Sequence, residues 1–137
     1  MSTLNKKILV VDDDAVVVKA ISIVLTNAGY DVIKATDGTK AVTSARTEKP
    51  DAILLDLNFP DDFGTVAWDG YRIMEWLKRL DNGMKTPIIV MSSSDPQKVE
   101  ARVRELGAAA FFQKPVNTAE LEAELQRLLA VEVATSI

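Results

Sequence analysis

Ile8-Leu9-Val10-Val11-Asp12-Asp13-Asp14, running on into Ala15 and the segment that ends at Ala28-Gly29, is the stretch that decides the fold. Four apolar residues in a row, without polar alternation, read as a strand covered on both faces. The segment Ala15 to Asn27 that follows is helical in pattern, and Ala28-Gly29 supplies the glycine stop of a helix C-terminus. Strand, acidic turn and helix make a βα unit, and the unit recurs. Further apolar runs lie at Asp31 to Ala35, Ala52 to Leu55, Ile88 to Met91 and Ala109 to Phe112, of which the first is polar enough for an edge strand. Between them, Thr39 to Glu48 ends before Pro50. Gly70 to Leu80 places Ile73, Leu77 and Leu80 on one face, with Met74 and Trp76 flanking, and stops at Asn82-Gly83. Ser94-Asp95-Pro96 reads as an N-cap followed by proline in the first turn, opening a helix through Val99, Val103 and Leu106 to Gly107. A fifth helix begins at Asn117 or Thr118, has Glu120 in capping-box register and carries Leu121, Leu125 and Leu128, leaving Val131 to Ile137 as a short tail. Right-handed crossovers put helices on both faces of the sheet, and an eight-fold barrel needs far more chain. The expected class is therefore α/β, a doubly wound five-stranded parallel sheet with five helices.

Composition narrows the chemistry. The chain has 137 residues, 47% hydrophobic and 26% charged, the balance of one globular domain. It contains no cysteine and no histidine, which excludes disulfide scaffolds, thiolate metal sites, Ser-His-Asp hydrolases, cysteine proteases, zinc enzymes and histidine phosphocarriers. Any metal must be hard and oxygen-ligated: magnesium, calcium or manganese. A net charge of -4 argues against a nucleic-acid surface, which needs clustered Lys and Arg. No apolar run approaches the roughly 20 residues that span a bilayer, and residues 1–7 lack the apolar stretch of a signal peptide, so a cytoplasmic protein without membrane contact is expected.

In an open parallel sheet, ligands bind beyond the C-terminal ends of the strands. There the sequence places Asp12, Asp13 and Asp14 after the first strand, Asp56 after the third, Ser92, Ser93 and Ser94 after the fourth, and Lys114 before Pro115 after the fifth. Singly, each has a plain structural use: Asp14 as an N-cap, Ser92 bonded to its own turn, Lys114 as a solvated loop lysine. Together they are harder to dismiss. Asp12, Asp13 and Asp56 would gather carboxylates whose repulsion a divalent cation relieves, and magnesium suits a shallow acidic cup that also receives phosphate oxygens. Lys114 could pair with a carboxylate at rest and with a phosphoryl oxygen when one arrives.

With these residues in order, the chain resembles the receiver domain of two-component response regulators, the family of the chemotaxis protein CheY. The resemblance runs from Lys6 to about Ala130. It rests on Ile8 to Asp14, on Ala52-Ile53-Leu54-Leu55-Asp56-Leu57-Asn58-Phe59-Pro60, on Pro87-Ile88-Ile89-Val90-Met91-Ser92, and on Gly107 to Pro115. It implies a flavodoxin-like (βα)5 fold with strand order 2-1-3-4-5, in a single receiver domain with its core at about 6–130 and no output domain. It further implies that Asp56 accepts a phosphoryl group from a sensor histidine kinase or histidine phosphotransfer protein. Asp13 and Asp56 would ligate magnesium with the carbonyl of Asn58, and Asp12 would act mainly through a bound water. Ser92 would be the switch hydroxyl, Phe111 the coupled aromatic and Lys114 the phosphoryl-binding lysine. A downstream protein would read the face made by the fourth helix, fifth strand and fifth helix. Such a chain is a switch rather than an enzyme, and this domain is expected to bind no nucleic acid directly.

Three departures stand out. About six extra residues, within Asp61-Asp62-Phe63-Gly64-Thr65-Val66-Ala67-Trp68, precede Asp69-Gly70, a loop that could serve as a lid carrying Trp68 over the site or could pack Trp68 near Trp76. Phe111 has no hydroxyl where the family often has tyrosine, and Ser93 replaces a small apolar residue. Two rival readings remain at this point. Asp12-Asp13-Asp14-Ala15-Val16 fits the Asp-x-Asp-x-Val signature of haloacid-dehalogenase-type phosphotransferases, with Asp12 as nucleophile. A pseudo-receiver would keep the fold as a binding module without phosphotransfer.

Overall fold

The computed structural model describes residues 6–57, 70–80 and 86–135, with the side chains of 80 and 130–135 outside that description. The elements run β1 (Lys7–Val11), α1 (Ala15–Asn27), β2 (Asp31–Ala35), α2 (Gly38–Glu48), β3 (Ala52–Asp56), α3 (Gly70–Leu80), β4 (Ile88–Ser92), α4 (Pro96–Glu105), β5 (Ala110–Gln113) and α5 (Thr118–Thr135). All described strand pairs are parallel, and the sheet order is β2-β1-β3-β4-β5, with the polar β2 at one edge as its sequence requires.

Local chemistry sets the helix boundaries. Asp14, Asp37 and Asp95 accept hydrogen bonds from the backbone N–H groups of Val16, Lys40 and Gln97, and Asn117 Oδ1 accepts from Glu120, so the N-termini of α1, α2, α4 and α5 are each capped by a short polar side chain. Gly29 and Gly107 follow α1 and α4 with φ of 101° and 99°, a conformation that would strain any residue bearing a Cβ.

Some boundaries differ from those read in the sequence. The fifth helix continues to Thr135 instead of ending near Ala130, because Val131 to Ala134 contains neither glycine nor proline to stop it. β5 occupies Ala110–Gln113, one residue later than expected, and α2 starts at Gly38, directly after its cap Asp37. On α3, Met74 is fully buried beside Ile73 and Leu77, whereas Trp76 is 42% exposed. On α5 the buried stripe is Leu121, Leu125 and Leu129, with Leu128 packed partly buried at its side.

Alternation along the central strands divides the core in two. Ile8, Val10, Ala52, Leu54, Ile89 and Met91 face α1 and α5; Leu9, Val11, Ile53, Leu55, Ile88 and Val90 face the layer containing α2, α3 and α4. Each such buried Leu, Ile or Val is worth about 1.5–3 kcal/mol relative to exposure. The strand ends that carry polar residues are therefore fixed by packing on both sides of the sheet.

Candidate functional site

The ends of β1, β3, β4 and β5 bring the sequence's polar residues to one edge of the sheet. Asp12, just past β1, is held by its own N–H donating to Ala35 O and is fully buried. Asp56, the last residue of β3, is 1% exposed, and Ser92, the last of β4, is fully buried. Lys114 follows β5, where its backbone N–H donates to Ser92 O at 2.8 Å. That bond sets the root of the lysine beside β4. Its ammonium then reaches back across the sheet to Asp12 Oδ2 at 2.8 Å and Asp56 Oδ1 at 3.2 Å.

One cation thus bridges two buried carboxylates. Asp12 is engaged through both oxygens, because the other, Oδ1, accepts from the Asp14 N–H at 2.9 Å. Burial alone would discourage the charge on Lys114, but the Asp12 and Asp56 oxygens outweigh it and raise its pKa above the ordinary lysine value. Asp13 stands more exposed at the rim. Desolvation, and then the neighbouring Asp12 charge, raise its carboxyl above the usual aspartate range.

Carboxylate oxygens of Asp12, Asp13 and Asp56 lie within 4.8 Å of one another, close enough for one ion to touch all three. Three carboxylates against one ammonium leave two negative charges, which a single divalent cation balances. The donors are all hard oxygens, so the set fits magnesium and offers nothing to a thiophilic metal. Asn58 and Trp68, expected as a carbonyl ligand and a lid residue, lie outside the described residues.

Ser92 Oγ accepts from the Ser94 N–H at 3.0 Å, so the plain turn-bonding use foreseen for it coexists with its place at the cup. Phe111 is partly buried against the cluster that contains Leu55, Val90 and Val103. A mostly apolar cavity of about 500 Å³ adjoins the site, walled by Val17, Ile21 and Val24 of α1 and by Pro115 and Val116, with Lys114 also contributing to its lining. Sequence reasoning missed this cavity. Its walls belong to segments nearly a hundred residues apart, and only the register of Val17, Ile21 and Val24 along one side of α1 hinted at it.

Comparison with known proteins agrees with this geometry. The family model of the response regulator receiver domain matches residues 8–126. The alkaline phosphatase synthesis transcriptional regulatory protein PhoP of Bacillus subtilis (strain 168) is 36% identical over 126 residues, covering 92% of this chain and 49% of PhoP. The chain spans about half the length of the curated relatives it matches. Among solved structures, the chemotaxis protein CheY4 of Vibrio cholerae superposes with a TM-score of 0.80 at 29% identity, over 91% of this chain and 99% of that one. The receiver domain of the sensor histidine kinase PA1611 of Pseudomonas aeruginosa PAO1, described with a magnesium ion coordinated in its active site cleft, gives a TM-score of 0.78 at 31% identity, over 92% of this chain and 98% of that one. Sheet order, motif order and a family match over most of its length lead to one assignment: the chain belongs to the response regulator receiver domain family.

Proposed function

We propose that this receiver domain is a phosphorylation switch in which Asp56 accepts a phosphoryl group from the phosphohistidine of a sensor kinase or histidine phosphotransfer protein. The observation that carries the reading is the Lys114 ammonium bridging Asp12 and Asp56 inside a three-carboxylate cluster. A carboxylate oxygen of Asp56 attacks phosphorus, the P–O bond forms as the P–N bond breaks, and the leaving imidazole nitrogen keeps the electron pair. Asp12, Asp13 and Asp56, with the Asn58 carbonyl, would hold magnesium, which when bound supplies positive charge against the oxygens of the transferring group. Lys114 adds a second positive charge from the opposite wall. As the phosphoryl group takes up charge, the ammonium exchanges part of its carboxylate pairing for a phosphoryl oxygen. Ser92 donates its hydroxyl to the same group, and Phe111 repacks with it, so the phosphorylated form favours one arrangement of the β4–α4 segment by the energy of those contacts. Hydrolysis resets the switch.

The site argues against Asp12 as the nucleophile. Its two oxygens accept hydrogen bonds from the Asp14 N–H and the Lys114 ammonium, the disposition of a group that positions others. The assembly of acids, hydroxyl and lysine likewise favours a working receiver over a pseudo-receiver.

The partners follow from the same reading: a phosphodonor protein at the acidic cup, a downstream protein on the α4, β5 and α5 face, and no direct contact of this domain with nucleic acid. No helix among the described residues is long and apolar enough to cross a membrane, and a cytoplasmic switch is the setting we propose. Treatment with acetyl phosphate, or with beryllofluoride and magnesium, should modify Asp56, and Asp56→Asn should abolish it while leaving the circular dichroism spectrum unchanged. Modification mapped to Asp12 would support the dehalogenase-type chemistry instead.

A further inference from the structure

We infer that α3 clamps α4 through Tyr71 and Lys78, making a second mechanical link from the phosphoacceptor strand to the output face, separate from Ser92. The link begins at Gly70. A Cβ there would lie on the backbone of Leu57, 2.7 Å from its carbonyl carbon, so the first residue of α3 rests directly on the residue that follows Asp56. Leu57 is itself tied to β4 by donating its N–H to Met91 O at 2.8 Å. The next residue along α3, Tyr71, is partly buried, and the Arg102 guanidinium of α4 sits over its ring at 4.0 Å from the centroid. Two turns further on, Lys78 Nζ donates to the carbonyl of Gly107, just beyond the C-terminus of α4, at 2.9 Å. A Cβ on Gly107 would fall on that lysine's ammonium end, which shows how closely Lys78 lies against this turn, while the φ of 99° is what favours glycine there.

The clamp matters because α4 has little else. Val103 is its single fully buried residue, with Val99 and the C-cap residue Leu106 packed partly buried. α3, by contrast, is anchored by Ile73, Met74 and Leu77 in the core. A weakly embedded helix held at two points by a firmly embedded one takes its position from the latter, and α3 starts where the phosphoacceptor strand ends. The cationic end of each contact is fixed on a residue that either α3 or α4 presents to the other, so a shift of Leu57 reaches α4 without passing through the β4–α4 turn. The ligand-linked half of the proposal rests on the phosphoacceptor reading of Asp56; the clamp in ligand-free protein does not.

Hydrogen exchange of the full chain, read by mass spectrometry with and without magnesium and beryllofluoride, tests both. Arg102→Met keeps the alkyl stem of an exposed side chain and removes the cation, and Tyr71→Leu removes the ring while keeping apolar bulk. Without ligand, each should speed exchange of the α4 amides by about two- to fivefold, the range of an exposed cation–π contact, with α1 amides unchanged as the control for global stability. Tyr71→Phe should exchange as wild type. The double variant should be no faster than the stronger single one, because both remove the same contact. With beryllofluoride, the change in α4 exchange seen in wild type should shrink in Arg102→Met although binding is retained. Wild-type α4 exchange in both single variants, or additive effects in the double, would overturn the clamp. A full beryllofluoride response in Arg102→Met would overturn the link to the site. Wild-type protein that bound no beryllofluoride would overturn the Asp56 reading and with it the ligand-linked half, while the ligand-free comparison would still judge the clamp.

Discussion

Replacing Lys114 with methionine removes the one ammonium that two buried carboxylates share, and the cost should be read most clearly without metal. At 2.8 and 3.2 Å, each pair has a gross attraction of about 5–6 kcal/mol at an effective dielectric near 20. Most of that is offset by the desolvation of the three groups. What the variant exposes is the remainder, because Asp12 and Asp56 stay buried with their repulsion uncompensated. Breaking one partner out of a fully buried pair costs about 3–5 kcal/mol. Since the Lys114 side chain keeps 20% of its surface in water, about 2–4 kcal/mol is expected. For a domain of this size that lowers the melting temperature by roughly 10 °C. The raised pKa of Lys114 means its stabilisation is fully present below the unfolded lysine value of about 10.4 and is lost only as pH rises through the higher folded value, so neutral pH shows the whole effect. Thermal melts in chelator at pH 7.5 measure the loss. One recovery should follow: magnesium should raise the variant's melting temperature more than the wild type's. A variant that melts with the wild type at neutral pH, or that gains nothing from magnesium, would refute the account of the cup as an anionic cluster held by one lysine.

Magnesium at tenfold excess over its dissociation constant should stabilise the wild type by about 1.4 kcal/mol if only the folded state binds, and Asp13→Asn should lose most of that gain in a calorimetric titration. The Asp13 carboxyl is raised by burial and by Asp12, so its favourable contribution is full below the unfolded value of about 3.9 and fades as pH rises through the folded one. Metal-free Asp13→Asn should therefore be slightly more stable than wild type at neutral pH and equal to it in acid, as denaturant midpoints across pH would record. Ser92→Ala should still be phosphorylated at Asp56 but lose most of the conformational response seen in the amide spectrum of the β4–α4 segment. Gly70→Ala drives a methyl group into the Leu57 backbone and should cost about 1–3 kcal/mol by urea unfolding, although alanine is the better helix former.

The fold was legible because each βα unit carries its own punctuation. Apolar runs of strand length, aspartate or asparagine caps and glycine stops fix the elements by local chemistry, and the polar character of Asp31 to Ala35 put β2 at an edge before any pairing was known. The end of α5 was misjudged for the same reason: no stop signal marks it, and pattern alone does not end a helix. Which residues meet at the cup was legible as a set, since strand ends of a parallel sheet converge. Their pairing was not. That Lys114 takes both Asp12 and Asp56, and that Asp12 uses its second oxygen on Asp14 N–H, depends on side-chain reach across three strands. Tyr71 under Arg102, the burial of Met74 and the contact of Gly70 with Leu57 depend on how α3 lies against its neighbours, and no periodicity encodes that.

The parity of the central strands has an evolutionary consequence. Odd and even positions of β1 serve different walls, so α1 and α5 rest on one set of side chains and α2, α3 and α4 on another. Substitutions that refit one wall to a new binding partner leave the packing of the opposite wall untouched, because the backbone of the sheet lies between them. A combinatorial library over α1 and a second over α3 should yield folded members at frequencies that multiply when the two are joined, and the sheet is the partition that makes them independent.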